Sequence, residues 1–297
     1  MRWLRCFLLL ALFWPLAPLM AAEILLTGSA DNAGVQHFVT ALSAQRPNDQ
    51  VRFVPLHQLA RPGTLKPATR LILLDLEALD WRLTETAGPP ALVLRISRVQ
   101  AEQRLGSLRP PFLTLLWSDP PADRQLRLTH YLLPQARRIG VLYGENSRQL
   151  IDELRQAARP LGLEIVAQAW PDTRDNRALQ TLLKDSDVLL GLDDPQLFNP
   201  KTAKNILLSS YARQMALIGP SAGFVRAGGL ASTLSDQDDW LAMLGQLLDQ
   251  PTGKWPRALY PTHFSVAANQ QVARALGIEA IDLVAAAKAV AAGEANP

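Results

Sequence analysis

Residues 138–167 read RIGVLYGENSRQLIDELRQAARPLGLEIVA, and this stretch contains one complete strand–helix–strand pattern. The apolar run at 139–143 is short and does not alternate with polar residues, which is typical of a strand buried on both faces. A second β-rich run follows at 164–167. Between the two runs, Leu150 and Leu154 begin a series of apolar residues at three- or four-residue steps, which indicates an amphipathic helix. The stretch therefore predicts one unit of a parallel α/β sheet.

The same alternation of short apolar runs and amphipathic stretches continues on both sides of this unit. Parallel strands need a crossover connection, usually a helix, so each repeat of the pattern adds one strand to a sheet. The pattern forms two successive series, which predict an α/β protein with two doubly wound parallel-sheet lobes and a ligand cleft between them. The predicted strands of the first series are 24–27, 50–54, 71–74, 91–96 and 112–116, and those of the second are 139–143, 164–167, 188–192, 216–218 and 229–233.

Proline-rich segments indicate where the chain passes between the lobes. The sequence Trp-Ser-Asp-Pro-Pro at 117–121 breaks both periodicities, and a passage rich in proline and glycine at 251–261 follows a predicted helix at 236–248. The predicted first lobe comprises residues 23–116 and 234–256, and the predicted second lobe comprises residues 117–233 and 257–297.

The composition excludes several classes of function. The chain has 297 residues, of which 48% are hydrophobic and 19% charged, as in globular proteins. Its formal net charge is only +3, without the clustered basic residues that a nucleic-acid partner requires. The four histidines, His37, His57, His130 and His263, lack the spacing of metal ligands. We expect no nucleic-acid partner, no metal and no cofactor.

The N-terminal segment at 1–22 resembles an export signal. Arg2 and Arg5 precede an apolar run at 6–19 that is too short to span a membrane, and small residues follow it. Its removal also removes Cys6, the only cysteine, and a chain without cysteines suits an oxidising compartment. These features predict a periplasmic protein that is soluble after cleavage near Glu23.

Several segments of the second series occur in the same order along the chain as in a known protein family. They are Leu133–Pro134, 138–143, 161–163, 187–189, 193–195, 199–211, 216–219, 227–231 and 269–277. Together they resemble the ABC-transporter substrate-binding family, whose members include tryptophan/tyrosine-type periplasmic binders. The resemblance covers about residues 112–280.

This resemblance implies a type I periplasmic-binding fold, in which a hinge closes two lobes over a ligand. It also implies a non-catalytic, monomeric protein that delivers a small molecule to an ABC permease or another inner-membrane partner. An amino acid or a similar zwitterion is the ligand class that the family suggests. An alternative is a periplasmic sensory domain that presents its ligand to a sensor kinase or receptor.

The candidate ligand-binding residues follow predicted strands, because ligands of open parallel sheets bind beyond the carboxyl ends of the strands. Amides of the loop at 28–34 could hold a carboxylate or phosphate, or the loop could simply cap the next helix. The other loops could supply an aromatic ring, a receptor for an ammonium group and a hydroxyl donor, with hinge packing and turn formation as alternative roles. The candidates are Ser29, Asp31, Asn32, Tyr143, Asn146, Asp193, Asp194 and Ser221.

The segment Gly-Pro-Ser-Ala-Gly at 219–223 suggests a second class of function, since it fits the G-x-S-x-G pattern of serine hydrolases. With Ser221 as nucleophile and His263 as base, the chain even has the α/β-hydrolase order, with aspartates between them. A nucleophile elbow leads directly into a helix, whereas residues 224–230 are predicted to be extended. The sequence therefore favours a ligand-binding loop over a catalytic triad.

Overall fold

The computed structural model describes residues 21–106 and 108–295, which form two six-stranded sheets with helices on their faces. The strands of the first sheet are β1 (Glu23–Thr27), β2 (Gln50–Phe53), β3 (Arg70–Leu73), β4 (Ala91–Ile96), β5 (Leu113–Trp117) and β11 (Ala258–Leu259). Those of the second sheet are β6 (Arg138–Tyr143), β7 (Glu164–Ala169), β8 (Val188–Leu190), β9 (Leu217–Ile218), β10 (Ala231–Leu234) and β12 (Ser265–Ala268).

The strand orders confirm the predicted fold class. They are β11-β5-β4-β3-β1-β2 and β12-β10-β9-β8-β6-β7, with every pairing parallel except that of β10 with β12. In each sheet the first strand in the chain lies between the second and the third, so the connections run in opposite directions from it. This reversal creates the switch point at which doubly wound sheets bind ligands.

Helices connect the strands and cover both faces of each sheet. Polar residues before them accept backbone hydrogen bonds: Asn32 caps α1, Asp75 caps α2 and Asn199 caps α7. The helices are α1 (Ala33–Gln45), α2 (Leu76–Leu83), α3 (Arg98–Leu105), α4 (Ala122–Leu132), α5 (Leu150–Ala158), α6 (Arg177–Asp185), α7 (Pro200–Tyr211), α8 (Ala222–Ala227), α9 (Gln237–Leu248), α10 (Gln270–Ala275) and α11 (Leu283–Ala295).

The chain crosses three times between the two sheets with their covering helices, which are the two lobes. The crossings connect β5 to α4, β10 to α9 and β11 to β12. The last crossing lies later than predicted: we placed the boundary after Pro256, whereas Ala258 and Leu259 pair with β5 in the first sheet. A strand of two residues within a proline-rich passage has no pattern of its own, so its pairing depends on β5.

One prediction about local structure is wrong. Residues 224–230 were expected to be extended, but α8 begins at Ala222, directly after Ser221, and ends before Gly228. The helix is short and ends at a glycine with a φ of +129°. Its six residues hold too few turns to show a 3.6-residue period in the sequence, which is why it was missed.

The cores lie on both faces of the sheets, where alternate residues of each strand belong to different clusters. In β3, for example, Leu71 and Leu73 pack on one face and Ile72 packs on the other. No helix in the described part of the chain is long and apolar enough to cross a membrane. The predicted export signal at 1–22 lies almost entirely outside the described residues.

Candidate functional site

A polar cluster connects the two lobes next to the crossings. Arg98, at the start of α3 in the first lobe, donates to Glu153 of α5 in the second lobe at 2.5 and 2.7 Å. The same guanidinium nitrogen lies 3.3 Å from the hydroxyl of Tyr260 in the third crossing. Both partners raise the pKa of Arg98, against the effect of its burial. The lobes are therefore joined by a charge-assisted hydrogen bond on the hinge side of the cleft.

Two further contacts strengthen this connection. The Ser97 hydroxyl donates to the backbone carbonyl of Asp193 in the second lobe at 3.2 Å, and Asp119 of the first crossing accepts the amide of Arg98 at 2.8 Å. The cavity that remains between these groups has a volume of about 30 Å³. With the lobes in this arrangement, a cavity of that volume is too small for an amino acid.

Two acidic groups at this cavity have unusual pKa values. Burial, together with the nearby carboxylate of Asp193, raises the pKa of Asp119 to about 7, against the hydrogen bond from Arg98. Burial and the neighbouring Asp194 raise the pKa of Asp193 to about 6. Both carboxyl groups thus bind protons more strongly in the folded chain than in the unfolded chain.

We expect an unusual pH dependence of stability from Asp119. Its unfolded form ionises near pH 4 and its folded form near pH 7, so its contribution to the free energy of unfolding falls as the pH rises through this window. Asp119→Asn keeps the acceptor for Arg98 but cannot ionise. Urea unfolding at pH 4.5 and pH 8 should show that the variant gains stability relative to the native protein at the higher pH. A stability difference that is the same at both pH values would contradict this assignment.

A larger cavity of about 250 Å³ lies at the carboxyl ends of the strands of the first sheet. It is bounded by the first turns of α1, by the end of β4 and by the second crossing with the start of α9. Its walls include the half-buried rings of Phe38 and Trp240, and Arg95 supplies the cationic group. Ligand sites are commonly apolar cavities with a few polar groups of this kind.

The predicted residues of the first loop lie next to this cavity but are engaged with their neighbours. The Ser29 amide and hydroxyl donate to Asp75 at 2.6 and 2.9 Å, and Asp31 accepts from Gln36 at 2.6 Å. Asn32 caps α1, two residues before Gly34 in the cavity wall. All three candidates are exposed.

The two adjacent aspartates differ in their surroundings. The side chain of Asp194 is fully buried, and it accepts from the Ser147 hydroxyl at 2.6 Å and from the amide of Gln196 at 3.0 Å. Asp193 is half-buried and lines the small hinge-side cavity. Asp194 therefore fixes the loop conformation, and of the pair only Asp193 has its side chain at a cavity.

The loop after β6 lines neither the larger cavity nor the hinge-side cavity. Tyr143 lines a surface depression of about 430 Å³ that also includes Trp170 and Arg148, beside the edge strand β7. Asn146 is half-buried in the turn that precedes α5. In this structure Tyr143 and Asp193 line different cavities. Ser221 is exposed at the start of α8, and its neighbour Pro220 lines the hinge-side cavity.

The sequence argument against a nucleophile elbow was that residues 224–230 are extended, and α8 removes it. Whether Ser221 is a nucleophile must therefore be judged from its backbone and its partners. The backbone of Ser221 is extended, with a φ of −159° and a ψ of 164°, whereas an elbow nucleophile sits on a strained turn. The carbonyl of exposed His263 accepts from Ser235, and Asp236 and Asp239 form the capping box of α9. No hydrogen bond joins Ser221 to His263 in the part of the chain described.

Sequence reasoning missed five residues that line the hinge-side cavity or the larger cavity: Arg95, Arg98, Asp119, Glu153 and Tyr260. Ser97 and Arg98 directly follow the fourth predicted strand, so the strand-end rule could have found them. Asp119 was quoted only as part of a proline-rich break. No group of three or more potential metal-ligating side chains occurs among the residues that the structure describes.

The arrangement of two doubly wound lobes, three crossings and cavities at the strand ends defines a type I periplasmic-binding fold. Residues 113–249 match the model of a protein family described as ABC transporter substrate binding protein. This match confirms the resemblance noted in the sequence. A search of curated proteins gives no significant match.

Solved structures of similar architecture support the fold. One is the ABC domain in complex with L-Trp from Streptococcus pneumonia, with 17% identity, a TM-score of 0.58 and coverage of 88% of this chain and 96% of that chain. A conserved domain protein from Vibrio cholerae O1 biovar eltor has 16% identity, a TM-score of 0.60 and coverage of 90% and 98%. The ligand-free, open structure of a substrate binding protein with adhesive properties from Clostridium difficile has 19% identity, a TM-score of 0.65 and coverage of 87% and 96%.

Proposed function

We propose that this chain is an exported periplasmic protein that captures a small molecule between its lobes and releases it unchanged. The observation that carries the proposal is the 250 Å³ cavity with Arg95, which the first lobe and the second crossing line and which would form the first-lobe side of the closed cleft. Sites for drug-sized ligands measure roughly 300–1,000 Å³, so a cavity just below this range suits a metabolite. The match to substrate-binding proteins supports the same class of function.

The proposed ligand is an amino acid or a similar zwitterion. The streptococcal protein of the same fold, described as a complex with L-Trp, supports this class, as do the half-buried Phe38 and Trp240 in the cavity wall. The proposed binding residues are those predicted from the sequence, with Arg95 added; Tyr143 and Asp193 line other cavities in this structure, so hinge closure would have to bring them to the ligand. Asp194 is excepted, because its side chain is already bonded within its own lobe.

The proposed recipient is an ABC permease in the inner membrane, to which a monomer delivers its ligand. A sensor kinase or receptor as recipient requires the same cleft, and the genes next to this one discriminate between the two roles. In either role the hinge must close over the ligand, with the three crossings as its only covalent connections.

The proposal is tested with the full chain expressed for export and purified from the periplasm. We expect native mass spectrometry to detect a small molecule that co-purifies, and small-angle X-ray scattering to show a smaller radius of gyration with that molecule than without it. Scattering curves that superimpose despite binding would contradict hinge closure. Fluorophosphonate labelling that disappears in Ser221→Ala would instead establish a serine hydrolase.

A further inference from the structure

An irregularity in β4 places Arg95 at the larger cavity. Val93 pairs with Leu115 of β5 and Ile96 pairs with Trp117, so three steps along β4 correspond to two along β5. The extra residue forms a β-bulge. Arg95 has a φ of +62°, in the left-handed region that residues with side chains adopt at a cost.

The bulge changes which face of the sheet each side chain meets. Leu94 packs in the cluster under α1 and α9, and regular alternation would return Ile96 to that same face. Ile96 instead packs in the cluster on the opposite face, with Val93. The Arg95 side chain therefore packs in neither cluster. It is exposed between two buried neighbours and lines the cavity. Bulges that redirect a side chain in this way are frequent at functional sites.

The two charged side chains in the cavity lining differ in the contacts that they already make. Arg95 is the only cationic residue in its lining, and none of the ion pairs in the described part of the chain includes it. Asp236 is the only acidic residue in the lining, and one of its oxygens accepts the amides of Asp238 and Asp239 at 2.9 and 3.1 Å. The guanidinium is thus the charged group in the lining with no partner among the described residues, and guanidinium groups bind carboxylates in a bidentate manner.

We infer that Arg95 is the specificity-determining residue of this cavity and that it recognises the carboxylate of a small acid whose apolar body packs between Phe38 and Trp240. The inference rests on the proposed function and names the part of the ligand that this site selects. An ammonium group on the ligand is not required, because the one acidic side chain in the lining, Asp236, already caps α9 through one of its oxygens.

The test uses three probes that share a phenylethyl group: 3-phenylpropionate, L-phenylalanine and 2-phenylethylamine. By isothermal titration calorimetry, we expect both carboxylates to bind the native full chain and the amine to bind at least about tenfold more weakly. Arg95→Gly should weaken carboxylate binding by about ten- to a hundredfold. Its melting temperature should be unchanged or higher, because glycine adopts a positive φ without strain.

Two controls separate charge from conformation. Arg95→Asn keeps a side chain that tolerates the left-handed region and should lose binding as glycine does, whereas Arg104→Ala removes an exposed arginine elsewhere in the lobe and should bind normally. Equal binding of the amine and the acids, unchanged affinity in Arg95→Gly, or no binding of any probe overturns the inference. The proposed function fails separately, if the periplasmic protein retains no small molecule and does not close.

Discussion

Replacing Arg82 by alanine is expected to lower the free energy of unfolding by about 3–5 kcal/mol, the largest effect predicted for this chain. The Arg82 side chain is fully buried, and it donates to the carbonyls of Glu85 at 2.7 Å and Pro89 at 3.1 Å. It also lies 3.9 Å above the ring of Phe112. Truncation leaves a cavity and unpaired carbonyls in the loop that leads into β4, the strand that carries Arg95.

Urea unfolding monitored by circular dichroism measures this effect. Burial lowers the pKa of Arg82, against the opposing effect of the nearby charge of Glu85. The matched control is Arg104→Ala, since Arg104 pairs with Asp80 at an exposed position and should contribute less than about 1 kcal/mol. Equal destabilisation by the two substitutions would mean that the carbonyl contacts of Arg82 do not hold this loop.

Asp194→Ala should be the next most damaging substitution, with an expected loss of about 2–4 kcal/mol. The buried carboxylate connects two strand-end loops, because the Ser147 hydroxyl that donates to it at 2.6 Å also accepts the amide of Gly144 at 3.0 Å. Without the carboxylate, that hydroxyl and the amide of Gln196 lose their acceptors. The loops after β6 and β8 should then become mobile.

The neighbouring residue provides the control. The Asp193 side chain lines the hinge-side cavity, and its link to Ser97 runs through its backbone carbonyl, which survives mutation. Asp193→Ala should therefore leave the free energy of unfolding at pH 7 unchanged or slightly higher, since it removes a carboxylate with a raised pKa. Amide hydrogen exchange should show lost protection at Gly144 in Asp194→Ala alone. If both variants unfold alike, the structural role of Asp194 is wrong.

The fold could be predicted because its signals are local and repeated. Each run such as 139–143 or 71–74 has the length and the apolar character of a strand buried on both faces, and each helix between the runs shows an apolar stripe. Exceptions occur where an element is too short to have a period, as in α8 and β11. Their conformations depend on neighbours that are distant in sequence.

The candidate site could be predicted only in its location. Strand ends identify the loops, but the sequence does not show which side chains of a loop are already bonded. Asp193 and Asp194 are identical and adjacent, and Ser147, 47 residues before Asp194, decides their difference. Likewise, the sequence shows Glu153 only as a polar residue on a helix whose other face packs in the core. Its role follows from its hydrogen bond to Arg98 of the other lobe, which only the structure shows.

The sequence by itself determined the two α/β lobes, the order along the chain of ten of the twelve strands and the resemblance to substrate-binding proteins, because hydrophobic periodicity and short motifs act over a few residues. Only the tertiary structure decided the position of Arg95, since a bulge is defined by the register of β4 against β5. It also decided the hinge-side bond between Arg98 and Glu153, which joins residues of different lobes. Such contacts depend on how elements that are distant in sequence pack against each other, and local sequence patterns do not predict that packing.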